Sequence, residues 1–182
     1  IFTFDDQKGK NEKLSAKTIN EIVRATYELA KTKTGALMVI GNEEGLLEYE
    51  RTGIVLDAAV SSQLLINIFE HNTPLHDGAI IIVEDRITAA TCYLPLSDNM
   101  ELSKDLGTRH RAGVGVSEVS DSLTVIVSEE TGKVSIALGG ELIRNVDGEY
   151  LKSKLENLTG RGQEEKRKLR LLNFKNKKNA EK

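Results

Sequence analysis

The sequence of 182 residues predicts an α/β fold, a single globular domain in which a central mixed β-sheet is flanked by helices. Two observations predict this fold. Apolar runs of strand length come in two pairs, and a short polar turn joins each pair, which favours antiparallel neighbours. Segments with apolar residues at helical spacing precede, separate and follow these pairs. No internal repeat or linker interrupts residues 15–159, so we expect one domain there.

The first half of the chain predicts two helices around a buried strand. Ser15 caps a helix that runs to about Thr34, and residues 36–40 predict the strand. Residues 46–57 predict short extended pieces. The second helix begins at one of two serines and turns its apolar residues inward: Ser61 or Ser62, then Leu64, Leu65, Ile68 and Phe69.

The second half of the chain predicts both strand pairs. Residues 79–84 and 87–93 predict the first hairpin, and residues 123–129 and 133–138 predict the second. Residues 95–105 predict a polar loop. Two helices complete this half: residues 106–119, packed closely enough to require Gly107, Gly113 and Gly115, and a last helix capped by Asp147 that carries Tyr150, Leu151, Leu155 and Leu158.

Charge is distributed unevenly along the chain. We expect residues 1–14 to be a flexible leader and residues 160–182 a basic tail, which carries nine basic and three acidic residues for a net charge of +6. Residues 1–159 then have a net charge of −9, which argues against broad nucleic-acid binding. For the tail, a solvated terminus is favoured over contact with a membrane surface or a partner.

The single cysteine, Cys92, excludes an internal disulfide and fits a reducing compartment. It lies in an apolar strand pattern, so we expect it to be buried as a packing residue. No apolar run is long enough to span a bilayer, and no signal-peptide pattern opens the chain. Because the chain begins with Ile1, we expect a piece of a longer protein.

The motif His76-Asp77-Gly78-Ala79 stands where a loop enters the most apolar strand. A carboxylate at such an edge binds Mg²⁺ or Mn²⁺ and helps to deprotonate a hydroxyl, while the small residues let a ligand approach the backbone. His76 is a candidate ligand for a softer ion such as Mn²⁺. The alternative is a plain turn aspartate before a strand, with a surface histidine beside it.

The motif Gly107-Thr108-Arg109-His110-Arg111 combines two arginines, a histidine and a hydroxyl at a predicted helix start. Backbone N–H groups and guanidinium groups at such a start converge on phosphate, which predicts a polyanion clamp. Successive helical residues point about 100° apart, so Arg109, His110 and Arg111 do not all share one face. The alternative is a solvated basic turn with one arginine in a salt bridge.

Ser128 and Glu130 follow the first strand of the second pair. A serine hydroxyl there binds phosphate and a glutamate assists a metal, or both belong to a plain polar turn. Gly139-Gly140 predicts only the end of a strand. Neither standard glycine-rich nucleotide-binding loop is present. An acid, a basic clamp and a hydroxyl at strand ends and helix starts together indicate phosphoryl or nucleotidyl transfer.

Residues 73–79 and 107–111 resemble the two signature motifs of the diadenylate cyclase (DAC) domain, intact and in the same order. Residues 36–40 and 125–129 resemble strands of that family. The resemblance covers residues 15–159, and the residues that lead into the first motif resemble the membrane-anchored CdaA/DacA class. It implies that two ATP molecules condense to cyclic di-AMP with release of two pyrophosphates, at the interface of two facing subunits.

The resemblance also implies roles for individual residues. Asp77 binds a divalent metal, Mg²⁺ or Mn²⁺, and helps to activate the 3′-hydroxyl of ATP, and His76 is a further metal ligand. The other implied roles are these: Gly78 and Ala79 line the nucleotide pocket, Tyr93 and Leu94 meet adenine, Thr108, Arg109, His110 and Arg111 hold ribose and phosphates, and Ser128 and Glu130 contact phosphate or metal.

The partners that the resemblance implies are a second copy of the chain, a membrane-bound CdaR-type regulator and phosphoglucosamine mutase. The full-length protein would lie at the cytoplasmic face of the membrane, and the piece in hand would be a soluble catalytic fragment. Two other functions stay open. The first is an adenine-nucleotide sensor that has kept the clamp without the chemistry, although such a sensor does not need Asp77. The second is a partner-binding domain that binds no nucleotide.

Overall fold

The structure, a computed structural model, describes residues 14–160. A seven-stranded mixed sheet is flanked by five helices, which confirms the predicted fold class. The predicted leader and tail lie outside the described residues, apart from Gly160 and from Leu14, which is buried in the core. The elements are α1 (Ala16–Lys31), β1 (Ala36–Ile40), α2 (Leu47–Glu50), β2 (Ile54–Ala59), α3 (Ser62–Phe69), β3 (Ala79–Val83), β4 (Arg86–Cys92), α4 (Thr108–Val119), β5 (Leu123–Val127), β6 (Val134–Leu138), β7 (Glu141–Arg144) and α5 (Gly148–Leu158).

The strands follow the order β2-β4-β3-β1-β5-β6-β7 across the sheet. β1 and β3 pair in parallel, and the other neighbours pair antiparallel, including both predicted hairpins. All five residues of β1 are buried because helices cover both faces of the sheet at its centre.

Two apolar cores lie on the two faces of the sheet. On one face, α1, α3 and α5 pack against the strands through residues such as Ile22, Leu65 and Leu155, each of which is fully buried. On the other face, α4 covers the strands with Val114 and Val116. Burying a side chain of this size stabilises the fold by about 1.5–3 kcal/mol, so these two cores hold the layers together.

Side-chain caps begin the three helices of the larger core at the predicted residues. The Ser15 hydroxyl accepts a hydrogen bond from the Thr18 N–H at 3.1 Å, and the Ser61 hydroxyl accepts one from the Leu64 N–H at 3.2 Å. Asp147 accepts from the Tyr150 N–H at 2.8 Å. These caps are local in sequence, which is why the sequence predicts them correctly.

Three expectations about the elements need correction. Residues 46–57 are not simply extended, because α2 forms one helical turn before β2 begins at Ile54. The chain does not merely end a strand at Gly139-Gly140, since these glycines have φ of +59° and +81° and turn it into β7. α1 ends at Lys31, before Thr34. α2 and β7 have four residues each, which is too few to show an apolar period in the sequence.

The sheet register brings distant segments to one edge. β5 runs antiparallel to β1, so that Ala36 lies opposite Val127, and β4 runs antiparallel to β3, so that Ala79 lies opposite Cys92. Because β1 and β3 are parallel, the residues just before these two strands meet the residues just after β4 and β5. Both sequence motifs reach this edge, the first directly and the second at the start of α4.

In the described part of the chain, no helix has the length and apolar character needed to cross a bilayer.

Candidate active site

A cavity of about 470 Å³ opens at this edge of the sheet. Its size lies within the range of about 300–1,000 Å³ that is usual for small-molecule sites. Nine of the residues predicted from the sequence line it: Asp77, Gly78, Tyr93, Leu94, Thr108, Arg109, His110, Ser128 and Glu130. Segments more than fifty residues apart in the sequence therefore form one site.

Three predicted residues do not line the cavity. Ala79 is fully buried in β3, and His76 is not among the lining residues although its neighbour Asp77 is. Arg111 directs its guanidinium away, with Nη1 at 3.4 Å from the Ser97 carbonyl and 3.5 Å from the Asn99 carbonyl. Two helical steps separate Arg111 from Arg109, about 200° around the axis, so the two side chains leave α4 on nearly opposite sides.

Asp77 is an exposed carboxylate on the loop that enters β3. Gly78 follows it with φ of +88°, a conformation that favours glycine. A Cβ on Gly78 would lie 2.9 Å from the carbonyl carbon of Thr91, which is too close for any side chain. The glycine therefore lets the loop pass directly against β4 and present Asp77 at the cavity.

His76 is held by a hydrogen bond within the same loop. Its Nδ1 lies 2.6 Å from the Thr73 carbonyl oxygen. Because a carbonyl only accepts, Nδ1 carries the proton, and Nε2 is left with the lone pair that a metal binds. A backbone partner of this kind fixes the imidazole tautomer for metal binding.

The residues at Asp77 fit a divalent ion that shares its ligands with a substrate. Among residues 14–160, no three His, Cys, Asp or Glu side chains converge in a way that could hold a metal ion. Mg²⁺ is commonly held by one or two carboxylates together with substrate phosphates, so a single exposed aspartate suits it, whereas an imidazole such as that of His76 suits a softer ion.

Arg109 lines the cavity from the first turn of α4. Its Nη1 lies 3.5 Å from Glu129 Oε1, and its side chain retains 29% exposure. The N-cap residue, Gly107, makes no side-chain cap, so backbone N–H groups of the first turn remain open toward the cavity mouth. Both features favour an anion, because a guanidinium and helix N-terminal amides stabilise negative charge.

His110 is half-buried in the cavity wall. Burial lowers its pKa below the usual 6.5, and the positive charges of Arg144 and Arg109 lower it further. Desolvation and like charges both disfavour the imidazolium form. The side chain is therefore neutral at pH 7, with one nitrogen that donates a hydrogen bond and one that accepts.

The structure adds cavity residues that the sequence did not indicate. Asp105, Lys133 and Arg144 all line the cavity, and Arg144 Nη2 lies 3.3 Å from Asp105 Oδ2. Arg144 belongs to β7, which the sequence analysis missed. The one signal for this strand in the sequence is the pair Gly139-Gly140, which permits a tight turn four residues before Arg144.

Cys92 is buried at the base of the cavity, which confirms its expected place in a strand. Burial raises the pKa of its thiol to about 11, and the negative charge of Glu50 contributes. A thiol with so high a pKa is protonated at neutral pH and is a poor nucleophile.

The sequence model of the DAC family, described as the nucleotide-binding domain of the DisA bacterial checkpoint controller, matches residues 23–142. The chain is 57% identical over 145 residues to the cyclic di-AMP synthase CdaA of Bacillus subtilis, covering 80% of this chain and 53% of that protein. It is 56% identical over 133 residues to a diadenylate cyclase of Listeria monocytogenes, covering 73% of this chain and 49% of that protein. The chain thus spans about half the length of these relatives.

Two solved structures share the fold. A double mutant of DacA from Staphylococcus aureus matches with a TM-score of 0.76 and 50% identity, over 78% of this chain and 94% of that one. A Bacillus cereus protein, described as a hypothetical membrane spanning protein, matches with a TM-score of 0.68 and 42% identity, over 70% of this chain and 62% of that one.

Proposed function

We propose that this chain, which belongs to the DAC family of bacterial nucleotide-binding domains, is a diadenylate cyclase that condenses two ATP molecules into cyclic di-AMP and releases two pyrophosphates. One observation carries the proposal. Asp77 of the first motif and the Thr108, Arg109 and His110 run of the second line a single cavity, although the sequence separates them by about thirty residues. The relatives named cyclases and synthases support the same chemistry.

The cavity would hold one ATP. The open amides at the start of α4 and the Arg109 guanidinium meet the triphosphate, and the Thr108 and Ser128 hydroxyls add hydrogen bonds. Tyr93 and Leu94 line the cavity where β4 ends, and there the adenine would contact the Leu94 backbone. The preference for adenine over guanine rests on the family.

Asp77 and the Nε2 of His76 would hold the divalent ion, Mg²⁺ or Mn²⁺, with Glu130 as a further candidate. When bound, such an ion neutralises phosphate charge and lowers the pKa of the attacking hydroxyl. The Asp77 carboxylate orients that 3′-hydroxyl and accepts its proton, and Arg109 stabilises negative charge that develops on the α-phosphate.

Two subunits would face each other in the active form, because each 3′-hydroxyl attacks the α-phosphate of the other ATP. The surface around the cavity supports this arrangement. Tyr93 and Leu96 line the cavity yet are 74% and 53% exposed, and the nearby Met100 is 88% exposed. Apolar side chains left open beside a site are typical of a surface that a partner covers.

The full-length protein would lie at the cytoplasmic face of the membrane. The Bacillus cereus neighbour, described as a hypothetical membrane spanning protein, supports the membrane part of this proposal, and the cytoplasmic side rests on the resemblance. A CdaR-type regulator and phosphoglucosamine mutase remain predicted partners on the resemblance alone. Co-purification of each with the full-length protein tests both.

The test of the function is Asp77→Asn. We expect turnover of ATP with Mn²⁺ or Mg²⁺ to fall below detection, because an amide neither holds the ion nor accepts the proton, while ATP binding stays within a few fold. Chromatography with mass detection measures cyclic di-AMP, and calorimetry measures binding. Glu149→Gln is the control, since this exposed carboxylate on α5 lies outside the cavity.

Unchanged turnover in Asp77→Asn would remove Asp77 from the chemistry. ATP binding by the unmodified protein without any product, at concentrations where it dimerises, would favour the sensor instead. No ATP binding at all would favour a partner-binding domain.

A further inference from the structure

We propose that Gly35, which lies outside both motifs, positions Arg109 for the phosphates of ATP. This inference rests on the proposed function, because Arg109 is taken there to meet the triphosphate. Gly35 is a positioning residue, since its own atoms are not among those that line the cavity.

The guanidinium of Arg109 occupies the space where a side chain on Gly35 would lie. A Cβ built on Gly35 would be 2.5 Å from both Cζ and Nη2 of Arg109 and 2.6 Å from Nη1. The three distances are nearly equal, so a broad face of the planar group, rather than one nitrogen, turns toward the glycine. The Arg109 side chain therefore packs directly on the backbone just before β1.

Backbone conformation does not explain the glycine at this position. The described glycines with positive φ are 78, 132, 139, 140 and 160, and Gly35 is not among them. The position does not need the positive φ that favours glycine. What the position requires is the absence of a Cβ, and the atoms that require it belong to Arg109.

Two contacts on different elements thus hold Arg109. The backbone at Gly35 supports the guanidinium, and Glu129 Oε1 lies 3.5 Å from Nη1. Ala36, next in the chain, is fully buried in β1, so the support is rigid. A guanidinium held in this way keeps its orientation before substrate arrives, and little entropy is then lost on binding phosphate.

We expect the replacement of Gly35 with alanine to displace the Arg109 side chain and to leave the fold intact. An ordinary Cβ contact begins at 3.4 Å, so the guanidinium must retreat by about 1 Å. The obstructing atoms are the end of a flexible side chain, which moves at small cost to stability. A displacement of about 1 Å at a reacting group is enough to lower the rate on the order of 10²-fold.

The experiment compares Gly35→Ala with Gly45→Ala. A Cβ on Gly45 meets nothing within 4 Å, and its φ is not positive, so it controls for the loss of a glycine. In calorimetry, we expect Gly35→Ala to weaken binding of a non-hydrolysable ATP analogue about 10- to 100-fold, because a charge-assisted hydrogen bond to phosphate is lost. Adenosine affinity should not change in Gly35→Ala, and analogue affinity should not change in Gly45→Ala. Equal analogue affinity in the two variants would overturn the proposal.

A double-mutant cycle tests whether the effect passes through Arg109. In an Arg109→Ala background, we expect Gly35→Ala to have no further effect on analogue affinity. Independent, multiplicative losses would overturn the proposal. If Gly35→Ala alone fails to fold, the double variant decides the matter, because removing Arg109 restores the fold only when Arg109 is the obstacle.

A nucleotide-free measurement separates this inference from the proposed function. The Arg109 Nε–H signal, assigned by its loss in Arg109→Ala, should shift in Gly35→Ala and stay in place in Gly45→Ala. If the unmodified protein produces no cyclic di-AMP, the proposed function fails while this shift still supports the positioning role. An unmoved signal overturns the positioning role even when the protein is an active cyclase.

Discussion

At the residue scale, the role open to each side chain at the cavity depends on the residues that it contacts. The two arginines of the second motif differ in this respect. Arg109 lies on Gly35 and beside Glu129, within the cavity, whereas Arg111 contacts the carbonyls of Ser97 and Asn99. One motif thus supplies one guanidinium to the cavity and a second that ties the 95–105 loop to α4.

The protonation of His110 provides a prediction at this scale. Its pKa lies below 6.5 in the folded protein, so the unfolded chain takes up the proton first as the pH falls. The contribution of His110 to the free energy of unfolding is therefore full above about pH 6.5. It declines as the pH falls from there to the folded-state pKa, and it does not decline further below that pKa. An NMR pH titration should place the His110 midpoint below that of an unstructured histidine.

Urea unfolding at pH 7.5 and pH 5.5 gives the matching stability measurement. The decrease in the free energy of unfolding from pH 7.5 to pH 5.5 should be smaller in His110→Gln, because glutamine does not titrate. His71→Gln is the control, because His71 is exposed and outside the cavity. A His110 midpoint at or above 6.5 would contradict the prediction.

At the scale of elements, α4 combines a poor helical sequence with a central position. Gly113 and Gly115 are both buried, and each disfavours a helix by about 1 kcal/mol relative to alanine. A Cβ on Gly113 would lie 2.6 Å from Ile126 Cδ1, and one on Gly115 would collide with the Pro95 carbonyl oxygen. The glycines let α4 approach β5 on one side and the 95–105 loop on the other.

This close packing predicts the effect of Gly115→Ala. The obstructing atoms belong to the Pro95 backbone, so the loop or the helix must shift, and we expect a loss of about 1–3 kcal/mol in the free energy of unfolding. Gly148→Ala is the matched control. Gly148 also lies in a helix, but its Cβ would meet only ordinary contacts with Tyr27 and Val23, beginning at 3.5 Å.

Urea denaturation measures both variants. Gly148→Ala should be at least as stable as the unmodified protein, because alanine loses less entropy in a helix. Equal stability of Gly115→Ala and Gly148→Ala would show that α4 is not packed as closely as the structure indicates.

At the scale of the whole molecule, the sheet presents the cavity at one edge, open to solvent and bordered by exposed apolar side chains. An open cavity fits the proposed reaction, which requires two subunits because each holds one of the two nucleotides that condense.

This requirement predicts how activity depends on protein concentration. Below the dissociation constant of the dimer, the initial rate should rise with the square of the concentration, and the specific activity should level off above it. Sedimentation over the same range measures the dimer independently. Constant specific activity in a sample that sediments as a monomer would show that one subunit suffices.

Local patterns account for the parts of the fold that the sequence predicts. Ser15, Ser61 and Asp147 begin helices through bonds to residues three positions away, and a short turn joins each hairpin. Both motifs could be recognised because their residue types are contiguous. Interactions between residues so close in the chain can be recognised from the order of residues alone.

Sequence patterns alone predicted β1, β3, β4, β5 and β6, the starts of α1, α3 and α5, the burial of Cys92 and the candidate residues of both motifs. The three-dimensional structure was needed to show that Asp77 and Arg109 share a cavity, that Arg111 is not among its lining residues, that β7 brings Arg144 to it, and that Gly35 contacts Arg109. The physical reason is that strand register and helix packing set these relations, and both depend on contacts between residues far apart in the chain.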